Sequence, residues 1–290
     1  MIPALNIVAW GNVVPWADPR QIEQDLIISR AIIAIFSDPL LAEALRFRGG
    51  TALNKLHFPA PLRYSEDIDL VRKAAGPIGP VLDGIRRVLE PWLGRAQFDQ
   101  SPVAPKLRFR VDAEDPATTA SIRLKVEINT REIMAMGGPL AIPFAVENPW
   151  FSGSADIPTF SREEMLATKL RALLQRDKGR DLYDLAHALD VFERLDAARL
   201  VTFFTAYLGQ AGQTISRAQA QERMFAKLAN PRFLTDMRPL LPAAAAAALT
   251  NQSTKEAFRK VFTQIVDRIP GDPWVRVEEM KDRFGIVPQG

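Results

Sequence analysis

Hydrophobic and polar positions repeat with two different periods along this chain. An apolar stripe of helical period covers residues 18–36, which predicts a helix that Asp18 caps and Pro19 begins. A second stripe of this kind predicts a helix over residues 77–93. Residues 106–112 and 121–129 alternate strictly between apolar and polar positions, which is typical of half-buried strands.

The pattern changes after Pro158. From Ser161 to Asp267 it favours helices and contains no convincing strand. The first of these helices begins at Ser161, with acidic residues in its first turn. We therefore predict an α+β fold, with strands and helices in an N-terminal domain of residues 1–158 and an all-helical C-terminal domain of residues 159–290.

The stretch FRGGTALNKLHFPAPLRYSEDIDLV combines two glycines with two aspartates. A short strand ends at Gly49-Gly50, and a proline-containing loop leads to a strand that carries Asp67 and Asp69 on one face. Two carboxylates about 4 Å apart repel by roughly 4 kcal/mol at an effective dielectric constant of 20. A divalent cation turns this repulsion into coordination. The alternative is a solvated edge strand with two surface acids.

A third carboxylate, Glu127, shares one face of its strand with Arg123 and Lys125. If this strand lies beside that of Asp67 and Asp69, the three acids form a cluster for two magnesium ions. A polar outer face is the alternative. The neighbouring predicted strand carries a basic stripe that can hold phosphates or an RNA backbone, or can simply be solvated. Its residues are Lys106, Arg108 and Arg110.

Two features of the sequence can bind a nucleoside triphosphate. The first is Gly49-Gly50-Thr51. Because glycine has no side chain, the backbone here can come close to phosphates, and the free amide groups at the start of the following helix can donate hydrogen bonds to them. The second is a helix hairpin in which Lys169 and Arg176 precede a break at residues 178–180, followed by Asp181 and Asp184 on one side of the next helix. A hairpin with surface ion pairs is the alternative for the second feature.

Composition narrows the class of protein. The 290 residues contain no cysteine and two histidines, which excludes disulfides, thiolate metal sites and a histidine-built metal cage. No run of about 18 apolar residues predicts a membrane span, and the N-terminus does not have the pattern of a secretion signal. We therefore expect a cytoplasmic protein. The net charge of +3 permits an anionic partner without requiring one.

Four short motifs in this order resemble the AbiEii-type toxin family, which consists of nucleotidyltransferase-like proteins of bacterial toxin–antitoxin and abortive-infection systems. The motifs are Gly49-Gly50-Thr51-Ala52-Leu53, Arg63-x-Ser65-x-Asp67-Ile68-Asp69-Leu70, Lys169-Leu170-x-Ala172-Leu173 and Arg180-Asp181-Leu182-Tyr183-Asp184-Leu185. They span about half of the chain. The resemblance implies a polymerase-β-like nucleotidyltransferase core with a mixed sheet, followed by a helical C-terminal domain.

The resemblance also implies roles for individual residues. It implies that Asp67 and Asp69 are catalytic and bind two magnesium ions, that Lys169 contacts the nucleotide, and that Asp181 or Asp184 is a required acid. We add Glu127 as a further metal ligand from the strand pattern. The proposed nucleoside triphosphate contacts are Gly49, Gly50, Thr51, Lys169, Arg176 and Arg180.

These features predict a toxin that transfers a nucleotidyl group from a nucleoside triphosphate to RNA. By resemblance the acceptor is tRNA, its modification blocks translation and growth, and a separate antitoxin protein is the partner. The alternatives are modification of a small molecule or a protein, a nucleotide-binding regulator without turnover, and a structural interaction module. Ser65, two residues before Asp67, is a candidate regulatory site where a phosphate would compete for metal and triphosphate, and a loop serine that only bonds locally is the alternative.

Overall fold

The computed structural model describes residues 2–114 and 121–286. Its internal contacts divide the chain into two compact units, Met1–Ser161 and Arg162–Gly290. All strands of the described residues lie in the first unit, and the second is helical, so the predicted α+β fold is confirmed. No helix in the part of the chain that the structure describes has the length and apolar character needed to cross a membrane.

The first unit contains five helices, a π-helical turn and seven strands within the described residues. The helices are α1 (Ala4–Gly11), α2 (Pro19–Phe36), α3 (Pro39–Ala44), α4 (Gly49–Ala52) and α5 (Gly79–Leu93), and the π-helical turn is Leu53–His57. The strands are β1 (Leu45–Arg48), β2 (Asp67–Arg72), β3 (Gln97–Asp99), β4 (Lys106–Val111), β5 (Ile122–Asn129), β6 (Leu140–Asn148) and β7 (Phe151–Thr159).

Five strands form a mixed sheet in the order β1-β2-β5-β4-β3. The pair β2–β5 is parallel, and the other neighbours in this sheet are antiparallel. Strand β5 is the central strand, because it joins the β1–β2 pair to the β4–β3 pair. The Glu127 strand therefore lies beside the strand of Asp67 and Asp69, which is the condition for the three acids to share one site.

The two faces of this sheet differ in polarity. One face carries Ile68, Leu70, Leu124 and Val126, all essentially inaccessible to solvent, and helices α2 and α5 pack on that side. The driving force for this arrangement is burial of the apolar stripes of both helices. The alternate residues of β2, β4 and β5 are polar and point away from this core, which leaves the second face available for charged side chains.

Two elements differ from the sequence-based expectation. The predicted helix after Gly49-Gly50 is only a short α-helix, and it continues as the π-helical turn Leu53–His57. The second difference is a long antiparallel hairpin of β6 and β7, which the sequence analysis did not predict. Its strands contain Pro143 and Pro158, and proline weakens a strand prediction because it cannot donate a ladder hydrogen bond.

The second unit contains eight α-helices and two short 3₁₀ segments within the described residues. The helices are α6 (Arg162–Gln175), α7 (Gly179–Val191), α8 (Ala197–Gln210), α9 (Arg217–Leu228), α10 (Pro231–Thr235), α11 (Ala243–Ala248), α12 (Asn251–Gln264) and α13 (Val277–Phe284). The 3₁₀ segments are Arg238–Leu240 and Val266–Arg268. Helices α6 and α7 pack against each other, so the predicted hairpin around residues 178–180 is confirmed.

Candidate active site

Three carboxylates lie on the polar face of the mixed sheet, on two adjacent strands. In the parallel β2–β5 pair, Asp69 is opposite Glu127 and Asp67 is opposite Lys125. We call Asp67, Asp69 and Glu127 the acid face. The side chains of Asp67 and Glu127 are 36% and 30% exposed and Asp69 is a partly buried residue beside them, so a ligand from solvent can reach this cluster.

Lys125 lies among the three acids. Its Nζ is 2.9 Å from Asp67 Oδ2 and 3.4 Å from Glu127 Oε2. Burial lowers the pKa of Lys125, but its hydrogen bond to Asp67 and the negative charges of the acid face outweigh this effect and raise the pKa above its ordinary value. Lys125 is therefore a permanent positive charge at neutral pH, in contact with two of the three carboxylates.

Asp69 is in a different position from the other two acids. Within the described residues its carboxylate makes neither a hydrogen bond nor an ion pair. Burial, followed by the negative charge of Asp67, raises its pKa above the ordinary value, and Lys125 opposes this shift. A carboxylate that carries a repulsive neighbour and makes no hydrogen bond is the group on this face with the most to gain from a bound cation.

The first glycine of the Gly-Gly pair is required by Asp69. Gly49 has φ of +85°, a conformation that residues with side chains rarely adopt. A Cβ atom at this position would lie 2.2 Å from Asp69 Oδ2. The absence of a side chain at residue 49 therefore lets the backbone pass directly beside the unpaired carboxylate.

The second glycine is required by a buried arginine. A Cβ atom on Gly50 would lie 2.6 Å from an Nη atom of Arg63, and Arg63 is almost completely buried. The hydroxyl of Thr51 is engaged inside the protein, because it donates to the carbonyl of Asp67 and lies 2.8 Å from Ser65 Oγ. The structure thus uses Thr51 to fix the start of β2, and its hydroxyl does not point to solvent.

The predicted basic stripe is present on β4, at the edge of the acid face. Lys106 Nζ lies 3.7 Å from Glu127 Oε2, which is the oxygen that Lys125 also contacts. Arg108 pairs with Asp99 at 3.0 Å on the neighbouring strand. Arg110 is exposed and has no hydrogen bond or ion pair within the described residues. One of the three side chains is thus drawn into the acid face, and the other two are solvated.

The helical unit contains a second cluster, formed by Lys169 and Arg176 with Asp181 and Asp184, which we call the buried ion cluster. Lys169 Nζ lies 2.8 Å from Asp184 Oδ2 and 3.4 Å from Asp181 Oδ1. Arg176 donates to both oxygens of Asp181, at 2.8 and 3.0 Å. Both aspartates are completely buried, so these ion pairs differ from the surface pairs of the alternative interpretation.

Arg180 is the remaining basic candidate of this segment. It follows Gly179 at the start of α7, is partly exposed, and has no hydrogen bond or ion pair within the described residues. In contrast to Lys169, it is therefore available to an anion without first breaking an internal contact.

A cavity of about 240 Å³ lies beside Thr51 and Ser65 in the first unit. Its wall includes Lys55, whose Nζ is 2.9 Å from a carboxylate oxygen of Asp25. Both oxygens of Asp25 also accept from tryptophan side chains, those of Trp10 and Trp16. The sequence gives no local sign of this pair, because Asp25 lies within the apolar stripe of α2 and Lys55 is distant from it in sequence.

Comparison with known proteins identifies the family. A family model described as the nucleotidyl transferase AbiEii toxin of type IV toxin–antitoxin systems matches residues 30–266. The chain belongs to the AbiEii nucleotidyltransferase toxin family. As an AbiEii protein it is a nucleotidyltransferase of a toxin–antitoxin system, with a nucleotide substrate and an antitoxin partner. The resemblance seen in the four sequence motifs is therefore confirmed.

Comparison with solved structures gives matches over most of the chain. The chain is similar to the nucleotidyltransferase toxin MenT4 from Mycobacterium tuberculosis H37Rv, with a TM-score of 0.63, 16% identity and 99% of each chain covered. This similarity shows a shared fold. JHP933 from Helicobacter pylori aligns with a TM-score of 0.49 and 16% identity, over 85% of this chain and 95% of that chain. A comparison with curated protein sequences gives no significant match.

The AbiEii family implies a divalent metal, and the acid face offers oxygen ligands of the kind that magnesium prefers. In residues 2–114 and 121–286, however, no three acidic or histidine side chains converge on a point that could hold a metal ion. Lys125 pairs with two of the three carboxylates of this face. The carboxylate oxygens of the acid face are therefore suitable ligands for magnesium, and the ammonium group of Lys125 is a second cation beside the same oxygens.

Proposed function

We propose that this AbiEii protein transfers a nucleotidyl group from a nucleoside triphosphate to an RNA acceptor, the end of a tRNA, and so blocks translation and growth. The observation that carries the proposal is the acid face, where Asp69 has no hydrogen-bonding or ion-pair partner in the described residues and lies against a backbone without side chains. Family membership supports the reaction class, and the basic side chains along β4 support a polyanionic acceptor.

In this proposal Asp67, Asp69 and Glu127 hold magnesium. Magnesium held by these carboxylates would supply Lewis-acid activation of the attacking hydroxyl and neutralisation of charge on the leaving pyrophosphate. The hydroxyl oxygen of the acceptor forms a bond to the α-phosphorus, the bond from that phosphorus to the pyrophosphate oxygen breaks, and the hydroxyl proton passes to solvent. The expectation of two metal ions stays a prediction.

The chain's own residues position the triphosphate. The backbone at Gly49 and Gly50 comes close to the phosphates, and Thr51 keeps β2 and Ser65 in place through its internal hydrogen bonds. Lys169 and Arg176 are proposed to neutralise phosphate charge. Arg180 is the side chain of that segment that can do so without losing an internal contact.

The test is a labelling experiment. The protein is incubated with total RNA, magnesium and each radiolabelled nucleoside triphosphate in turn, and the products are separated on a denaturing gel. We expect label on RNA of tRNA size, with Asp69→Asn as the inactive control. Label on protein or on a small compound would support the alternative acceptors, and binding of nucleotide without any labelled product would support a regulator without turnover.

We also propose Ser65 as a control point of this reaction. Ser65 is a partly exposed residue, and its hydroxyl lies 2.8 Å from Thr51 Oγ1. A phosphate here would add about −1.5 to −2 charges next to the acid face and would separate the two hydroxyls. Ser65→Asp should be inactive, with Ser65→Ala as the active control. An active Ser65→Asp enzyme, or an unmodified Ser65 peptide by mass spectrometry in cells where the antitoxin fully neutralises the protein, would refute this role.

A further inference from the structure

Lys125 occupies the place of a cation on the acid face. It is opposite Asp67 in the β2–β5 register, and its ammonium group contacts Asp67 and Glu127 from the same strand surface. These two carboxylates belong to the set proposed above for magnesium, so the ammonium group and a metal ion bridging them would require the same oxygens. This juxtaposition is fixed by the backbone, because Lys125 and Glu127 are on one face of β5.

We infer that Lys125 is a resident cation that replaces one of two expected metal ions, so that the acid face takes one exchangeable divalent cation, at Asp69 and Asp67. This inference rests on the proposed function of the acid face. The three carboxylates outnumber the two ammonium groups that contact them, those of Lys125 and Lys106, so the acid face keeps a net negative charge that attracts a divalent ion. Asp69, the carboxylate without a hydrogen bond or ion pair in the described residues, is the free ligand for that ion.

Lys125 is thus a positioning residue with two effects. It holds Asp67 and Glu127 together when no metal is bound, since their like charges would otherwise repel. It also opposes metal binding, because a divalent ion that enters near Asp67 approaches a fixed positive charge. A lysine in this position therefore sets the number of bound ions and weakens their affinity.

The chain contains a matched control for this experiment. Lys106 also contacts Glu127 Oε2, and its side chain is 27% exposed, the same fraction as that of Lys125. It carries the same charge on the neighbouring strand, but no ion pair joins it to Asp67 or Asp69. Lys106→Met therefore removes one positive charge near the acid face without removing the cation that bridges Asp67 and Glu127.

The test is titration of the full-length protein with Mn²⁺ in the absence of nucleotide, followed by calorimetry and by electron paramagnetic resonance of free Mn²⁺. We expect one ion per wild-type chain, and for Lys125→Met a second ion or an affinity raised about tenfold or more. Lys125→Arg should restore the wild-type result, and Lys106→Met should stay within about threefold of wild type.

Thermal unfolding provides a second readout. In EDTA, Lys125→Met should unfold at a lower temperature than wild type, and Mn²⁺ should raise its unfolding temperature by more than that of wild type. If Lys125→Met does not fold, Lys125→Gln takes its place, since its amide can still donate to Asp67.

The inference is overturned if Lys125→Met binds Mn²⁺ like wild type, if Lys106→Met gains as much affinity as Lys125→Met, or if neither wild type nor Lys125→Met binds Mn²⁺.

Failure of the proposed function can be distinguished from failure of this inference. Labelled RNA from the wild-type protein with unchanged Mn²⁺ binding in Lys125→Met would remove only the role of Lys125. Altered Mn²⁺ binding in the variant with no labelled product from wild type would leave that role and remove the transfer reaction.

Discussion

The acid face and the buried ion cluster contain the same kinds of side chain in opposite settings. In the buried ion cluster, each of the two aspartates has a cationic partner within 3.4 Å and neither is exposed to solvent. On the acid face, the side chains are partly exposed and Asp69 makes no hydrogen bond or ion pair in the described residues. The first arrangement is complete in itself, and the second gains a favourable interaction only when a cation or ligand arrives.

This difference bears on how lysine and aspartate in a family motif are interpreted. Lys169 belongs to a motif for which nucleotide contact is proposed, yet its ammonium group bonds to Asp184 and Asp181. Loss of activity after its substitution is therefore expected on two grounds, lost phosphate contact and lost packing of α6 against α7. Activity and stability have to be measured together to separate them.

Breaking the buried ion cluster should give the largest effect. Asp184→Ala leaves Lys169 with one of its two carboxylate partners in a buried site, and the free energy of unfolding should fall by about 3–5 kcal/mol. Urea denaturation monitored by circular dichroism measures this change. The double variant Lys169→Met with Asp184→Leu removes both charges and should recover much of the loss, and its residual transfer activity then reports the combined roles of Lys169 and Asp184 in the reaction, separated from the loss of stability. A stable, fully active Asp184→Ala protein would contradict this assignment.

Removing the charge of Asp69 on the acid face should reduce activity strongly without reducing stability, the reverse of the effect expected for the buried ion cluster. Asp69→Asn should lower the transfer rate by more than about 100-fold, which is the scale for removal of one preorganised group from an active site. Its unfolding temperature in EDTA should equal or exceed that of wild type, because repulsion from Asp67 is relieved. The labelling assay and differential scanning calorimetry measure the two quantities. A lower unfolding temperature would mean that Asp69 stabilises the fold.

Gly49→Ala tests the close approach of backbone and carboxylate. The new methyl group would overlap Asp69 Oδ2, and the residue would keep a φ of +85° at a strain of about 1–3 kcal/mol. We expect a loss of stability of that order together with a transfer rate reduced about tenfold or more, since Asp69 has to move. Gly209→Ala is a matched control, because nothing lies within 4 Å of a Cβ atom at that position. Wild-type activity of Gly49→Ala would show that Asp69 tolerates displacement.

The smallest expected effect concerns His187, which lies on α7 near the buried ion cluster. Burial lowers its pKa below 6.5, and the charges of Asp190 and Asp184 oppose this shift. Between its folded-state pKa and 6.5 the unfolded chain binds more protons than the folded one, so stability falls as the pH decreases through this window and is fully present above it. His187→Gln should reduce this dependence by about 0.5 kcal/mol or less, the scale of surface substitutions. Urea midpoints at pH 5.5 and 8 provide the test, and an unchanged pH slope would assign the dependence to other groups.

The sequence predicted the acid face well because its information is local. Alternation along β2 and β5 places Asp67, Asp69 and Glu127 on polar faces, and the family motifs indicate which strands belong to the site. The sequence could not show that Lys125 pairs with Asp67, because that contact depends on the register of two strands whose residues are 58 positions apart. Lys125 was visible only as one of three charged residues on its strand.

Besides strand register, the sequence could not show which polar side chains are buried. Lys169 lies at the edge of the apolar stripe of α6, and the packing of α7 decides that it is enclosed. The same limitation applies to Thr51, whose hydroxyl was expected to face phosphates and instead bonds to Ser65 and to the backbone of Asp67. In both cases a polar side chain was assigned to a ligand, and a partner within the protein, 12 to 16 residues further along the chain, satisfies it.

The central position of β5 has a consequence for synthesis of the protein. Strands β1 and β2 pair with each other, as do β3 and β4, but the two pairs are joined only by β5. β5 begins at Ile122 and is therefore synthesised after all four of them. Until then a growing chain has Asp67 and Asp69 but neither Glu127 nor Lys125, and the parallel pairing that brings them together requires closure of a long loop. A cell that makes this toxin is therefore not exposed to an assembled acid face on unfinished chains that end before β5.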